Sequence, residues 1–235
     1  MTLQRVPYDC DGVALTGWLA DGSGGRRAPG VLVAHEGTGV TDHVKDVAER
    51  LAAEGYVAFA LDMYGATARS VEEATGLMGA LMADAALLRR RAGAGLDQLA
   101  ARPEVAAGRL AVLGFCFGGI VALEMLRDAA PLRCAIACHP SFKKPQGSTG
   151  LPRGKVLMMI GDQDPIIPAE DRDAFRAEMD EAGADWQLHI FGGVGHSFTN
   201  PAVDALGFPG FRHDAQAAAR AWTMTLAMLE ETFAA

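Results

Sequence analysis

Residues 114–119 read "GFCFGG", a cysteine between glycines placed directly after the apolar run Leu110-Ala111-Val112-Leu113 and before the apolar segment 120–126. A buried strand that turns sharply into a helix brings together the backbone on either side of the turn residue, so a Cβ at Gly114 or Gly118 would clash. Strand, glycine-flanked nucleophile and helix form the nucleophile elbow of the G-x-[SC]-x-G type, with Cys116 presented at a helix N-terminus. The competing reading is a small thiol buried as a hydrophobe. The strand–glycine–helix context favours the elbow.

The rest of the chain supplies the sheet that such an elbow needs. Short runs rich in Val, Ile and Leu alternate with segments of helical spacing, the pattern of a mostly parallel sheet covered on both faces. Residues 3–8 and 13–20 flank Asp11-Gly12, a turn signal for an antiparallel hairpin. Strands are then expected at 30–35, 56–61, 109–114, 133–138, 155–160 and 186–191. The expected fold is α/β, an α/β-hydrolase fold: about eight strands, an N-terminal antiparallel hairpin, and helices on both faces. A helix over 42–54 has Thr41 as its N-cap and Gly55 as its stop. Met78, Leu81, Met82, Ala85 and Leu88 form one helical stripe, and Trp222, Thr225, Leu226, Leu229 and Phe233 another. At 235 residues, half of them apolar, the chain can bury one core, which predicts a single domain over 1–235.

A nucleophile needs a base, and the base an orienting acid. In this fold they follow in the order nucleophile, acid, histidine. "GDQDPIIP" (161–168) and "GGVGHSF" (192–198) each follow a predicted strand. Asp164 and His196 are therefore expected at the same sheet edge as Cys116, with Asp162 competing for the acid role. His35 and His139 sit at strand ends and could line the pocket. His189 reads as structural and His43 as solvated. "AHEGTG" places Glu36 beyond a strand end next to Gly37, in the connection that supplies an oxyanion donor; the backbone N–H groups of Phe117 and Gly37 would form the hole. A carboxylate so close to a thiol calls for a cationic partner or for movement when substrate arrives. The alternative is a surface acid at a helix start.

Other classes are excluded by composition. A net charge of −8 argues against nucleic acid as a partner, and Arg89-Arg90-Arg91 reads as a solvated helix patch. No apolar run reaches membrane-spanning length and no signal-peptide pattern opens the sequence, so the expectation is a cytoplasmic protein with no membrane association. The four cysteines are too few for a disulfide scaffold. "CAIACH" (134–139) alternates as a strand and lacks zinc spacing, so no metal is expected.

The combination "HEGTGV", "GFCFGG", "GDQDPIIP" and "GHSFTNP", in that order, resembles the dienelactone hydrolase family of cysteine-nucleophile α/β-hydrolases. The resemblance implies a carboxylic ester hydrolase that cleaves a small ester or lactone through an acyl-cysteine, without a cofactor, as a monomer or homodimer. Cys116 would attack, His196 act as base, Asp164 orient it, and Glu36 take up the thiol proton. Dienelactone-cleaving members carry an arginine four residues after the histidine; here the position is Asn200. The substrate is then neutral, or an anion held by another cation such as Arg69 or Arg212, with His139 and Asn200 also candidate substrate contacts. An acyl transferase and a thiol-based sensor or ligand-binding protein remain the alternatives.

Overall fold

The computed structural model describes residues 3–234. Its eight strands are β1 (Gln4–Cys10), β2 (Val13–Asp21), β3 (Ala28–Ala34), β4 (Val57–Leu61), β5 (Val105–Phe115), β6 (Cys134–Cys138), β7 (Lys155–Gly161) and β8 (Asp185–Phe191). They form one sheet in the order β1-β2-β4-β3-β5-β6-β7-β8. The β1–β2 hairpin and its junction with β4 are antiparallel, and every later pairing is parallel. Strands β4 and β6 are buried along their whole length, as expected where helices cover both faces and no position can be polar.

Successive residues of each central strand serve opposite cores. Leu32, Ala34 and Val112 face the side packed by α3 (Ala85–Ala100), α4 (Phe117–Arg127) and α5 (Ala169–Ala182). Val31, Val33 and Leu113 face α1 (Asp42–Ala53) and α6 (Ala215–Ala234). The expected alternation of 134–138 holds: Cys134, Ile136 and Cys138 lie in the second core, Ala135 and Ala137 in the first. All four cysteines are free thiols.

Two expectations are corrected. The stripe from Met78 to Leu88 is not one helix but the end of α2 (Val71–Met82) and the start of α3. The break is made by Asp84, which takes an extended backbone (φ −146°) and accepts the Leu87 N–H on its carboxylate, and by the 143–154 segment, whose Gln146 backbone bonds both Met82 and Ala85. A side chain that satisfies helix-start donors competes with helix continuation. Nor is the arginine run a solvated patch except at Arg90, which is exposed. Arg89 binds Glu124 and Asp128, Arg90 binds Asp11, and Arg91, buried, donates to the Met63 carbonyl. Glu124 is itself fully buried, shared by Arg89, Arg127 and Ser148, while Arg127 grips Glu178 with two bonds of 2.7 and 2.8 Å. This network fastens α3, α4 and α5 into one layer on one face of the sheet.

Candidate active site

Cys116 lies between the end of β5 and the first residue of α4, with φ 52° and ψ −110°. A non-glycine residue tolerates such a conformation only when its surroundings enforce it. Here they do. A Cβ on Gly114 would stand 2.1 Å from the Gly118 carbonyl oxygen, and one on Gly118 2.1 Å from that of Ala34 in β3. The Cys116 N–H is tied to the Cys138 carbonyl at 3.1 Å. The elbow is thus clamped by both neighbouring strands, and the thiol remains partly accessible. Among the described residues, two more of the five non-glycine residues with positive φ, His139 (42°) and Ser197 (54°), lie in the same loop cluster.

The loops after β7 and β8 bring Asp164 and His196 together: Asp164 Oδ2 stands 2.7 Å from His196 Nδ1, with both side chains fully buried. Asp164 Oδ1 accepts the Ile166 N–H. Asp162 instead is exposed and faces Arg172 at 3.8 Å. The histidine loop is held from outside by the 210–212 segment, where His196 N–H donates to Gly210 and Arg212 N–H to His196. Because carboxylate oxygens only accept, Nδ1 carries the hydrogen and Nε2 points away from Asp164. That Nε2 has no well-formed partner among the described residues. Burial alone would lower the imidazole, but the Cys116 sulfur and the Asp164 carboxylate outweigh it and push it up to about 10.

Glu36 is buried behind this group. Its Oε2 accepts from Asn200 Nδ2 at 2.5 Å and lies 3.5 Å from His43 Nδ1, an ion-pair distance rather than a well-formed hydrogen bond; Oε1 has no partner. Burial favours the neutral acid, yet His43 first, and then the Asn200 amide, prevail and hold the carboxyl at about 2. The expectation of a solvated His43 is therefore corrected: its side chain is 9% exposed and packs edge-on against Phe115. No spacing in the sequence marks it, because its aim depends on how α1 seats against the elbow. Asn200 also caps the 3₁₀ helix Pro201–Leu206.

His139 is completely buried, edge-on to the His196 ring, with Nε2 2.8 Å from Thr199 Oγ1; burial first, then the His196 charge, keep it neutral. It stands behind the base rather than lining an opening. The two candidate cations are not brought to the cluster. Arg69 projects into solvent, paired with Glu73, and Arg212 is exposed and donates to the Gly193 carbonyl. Sequence reasoning missed Tyr64, whose hydroxyl is buried and unpartnered; burial, then the Cys116 charge, raise its pKa.

Among the described residues, neither the Gly37 nor the Phe117 N–H donates to a backbone carbonyl. Among these residues also, no three His, Cys, Asp or Glu side chains converge with metal-binding geometry, and no helix is long and apolar enough to cross a membrane.

The sheet order, the elbow and the acid and histidine on the loops after β7 and β8 define an α/β-hydrolase. The chain belongs to the dienelactone hydrolase family, whose model matches residues 15–233. Over 98% of both chains it superposes, with TM-score 0.93 and 35% identity, on a dienelactone hydrolase-like promiscuous phosphotriesterase from metagenomic libraries. It is 37% identical to the solved structure named m3DLH, with TM-score 0.94 over 99% of this chain and 98% of that one. A Bradyrhizobium protein named "Probable 2-oxo-3-(5-oxofuran-2-ylidene)propanoate lactonase" is 28% identical over 86% of this chain and 84% of its own. The fold and family are those of esterases and lactonases acting on small substrates.

Proposed function

We propose that this chain hydrolyses a small, uncharged carboxylic ester or lactone through an acyl-cysteine on Cys116. The observation that carries the reading is the meeting, at one sheet edge, of a clamped cysteine, a buried His196–Asp164 pair and two unengaged N–H groups. Cys116 Sγ attacks the carbonyl carbon, and the oxyanion forms against the Gly37 and Phe117 amides. His196 gives its Nε2 proton to the departing alkoxide, then takes one from the water that hydrolyses the thioester and releases the thiolate.

The thiol proton goes to His196 rather than Glu36. Glu36 is held at about 2, a weak base, and the imidazole is raised by the Cys116 sulfur and the Asp164 carboxylate it pairs with. Glu36 then acts through its fixed charge. That charge also argues for a neutral substrate: the buried carboxylate is balanced by an amide and a histidine, and Arg69 and Arg212 are engaged elsewhere. An anionic substrate would meet repulsion without a guanidinium to offset it. The same argument admits a neutral phosphotriester, the class named for the 35% identical relative, as a second substrate.

Intact mass after brief exposure to activated esters and lactones, with product release followed in parallel, tests the reading. A transient adduct with turnover in the wild type and none in Cys116→Ala is expected. A stable adduct without turnover would favour a sensor, and product formed only with an added alcohol or amine would favour a transferase. A strong preference for carboxylate-bearing over matched neutral esters would overturn the neutral-substrate assignment.

A further inference from the structure

The mechanism above uses neither of two fully buried histidines, His139 behind the base and His35. His35, the residue after β3, is completely inaccessible to solvent, with its ring packed edge-on to Tyr64 at 4.7 Å. Both ring nitrogens are engaged. Nδ1 lies 2.6 Å from the Glu36 carbonyl oxygen, and the Met63 N–H points at Nε2 from 3.2 Å. A carbonyl can only accept and an amide N–H can only donate, so Nδ1 carries the hydrogen and Nε2 the lone pair. The ring is held neutral, in one tautomer and one orientation.

The bond to the Glu36 carbonyl fixes more than Glu36. That carbonyl belongs to the same planar, trans peptide as the Gly37 N–H, in which C=O and N–H point in opposite directions. Holding the oxygen toward His35 aims the Gly37 N–H the other way, away from the imidazole ring. We propose that His35 is a positioning residue that aims the Gly37 oxyanion donor by hydrogen-bonding the far side of its peptide. This rests on the acyl-transfer reading given above.

The anchor is itself anchored. Met63 is held by Arg91 of α3 at its carbonyl, and the neighbouring Asp62 carboxylate accepts the N–H groups of Thr16, Tyr64 and Gly65. The Asp62 backbone meets the Tyr8 hydroxyl at both its N–H and its C=O. A chain of bonds thus runs from β1, β2 and α3 through Met63 and His35 to the one catalytic donor that lies on a loop. The Phe117 donor, at the first turn of α4, needs no such support. The Gly39 N–H adds a second, longer bond of 3.2 Å to the Glu36 carbonyl, which restrains the loop but leaves His35 as the closer partner.

Two substitutions separate the halves of the anchor. In His35→Asn the side-chain amide nitrogen takes the place of Nδ1 and keeps the bond to Glu36, while the Met63 N–H loses its acceptor. In His35→Gln the side-chain oxygen takes the place of Nε2 and keeps Met63, while Glu36 loses its donor. We expect H35N to melt lower than H35Q and yet be the more active. H35Q should lose about 10- to 100-fold in kcat at nearly unchanged KM, somewhat less than the full loss of an oxyanion donor, with H35N within about fivefold of wild type.

A merely structural role would make activity follow stability. Equal losses in both variants, or full kcat in H35Q, would overturn the proposal. The Gly37 amide resonance gives a readout without substrate: it should shift in H35Q and stay near its wild-type position in H35N. If the wild type turns over no ester, this displacement upholds the anchor while the acyl-transfer reading falls. An unmoved Gly37 amide in H35Q overturns the anchor as well.

Discussion

Replacing Asp164 with Asn tests the coupling between the acid and the base. The substitution preserves shape but exchanges a charge-assisted hydrogen bond of 2.7 Å, between fully buried side chains, for a neutral contact. A hydrogen bond to a charged group contributes about 1.5–3 kcal/mol, which at about 1.36 kcal/mol per pKa unit is about 1–2 units. His196, raised to about 10 in the wild type, should fall to about 8–9 in D164N. In the proposed cycle the imidazolium protonates the leaving group, so activity is present while His196 is charged and lost as pH rises through its pKa. The pH profile of kcat/KM, measured with a neutral ester and corrected with Cys116→Ala, should show an alkaline limb near 10 that moves down by about 1–2 pH units in D164N. Its plateau should drop about 10²–10⁴-fold, because the tautomer is no longer enforced. An alkaline limb that stays in place would refute the role given to Asp164, even if the plateau fell.

Asn200→Ala removes the one well-formed side-chain hydrogen bond to Glu36 among the described residues and should destabilise the protein by about 1.5–3 kcal/mol at neutral pH. Because Glu36 is held at about 2, below its usual 4.5, that difference should be present above pH 4.5 and shrink as pH falls toward 2, beyond the constant loss of the helix cap; urea unfolding across this range reads it. Arg127→Met leaves the buried Glu178 without its two-pronged partner, though Lys144 remains at 2.9 Å. A loss of about 3–5 kcal/mol lowers the melting temperature by about 2–4 °C per kcal/mol in a chain of this size, and thermal denaturation with a shift under 2 °C would contradict it. Tyr64→Phe deletes a buried hydroxyl with no partner, so its melting temperature should hold or rise. A fall in kcat/KM with intact stability would mark that hydroxyl as a substrate contact.

The fold was legible because strands buried on both faces leave no polar position to blur the pattern: 57–61, 134–138 and 155–160 are unbroken apolar or thiol-bearing runs apart from Lys155. The candidate triad could be read for a related reason. Cys116, Asp164 and His196 each follow a strand end by at most five residues, so finding the strands located the loops. What stayed hidden depends on contacts between distant elements. The fate of Arg89 is decided by Glu124 on another helix, and that of Arg91 by a carbonyl at Met63. The break between α2 and α3 needs the 143–154 segment to satisfy it. His43 and His35 look alike as residues near β3, and only the seating of α1 and the exit of β4 show that one faces a carboxylate while the other grips a peptide.

The parallel ladder sets the reacting atoms in register. Phe115 is paired with Cys138, Cys138 with Met159, and Gly161 with Phe191. Cys116, His139, Asp164 and His196 are all counted from that line. Each residue of a strand advances about 3.3 Å, so a one-residue slip of β7 against β8 would carry Asp164 farther than the whole length of its bond to His196 and exchange the side chains that β7 presents to its two cores. Extra residues at the opposite edge, such as within 143–154, enter before β7 begins and leave the line untouched. Chain length is therefore less constrained before a strand begins than between a strand's end and the site residue that follows it.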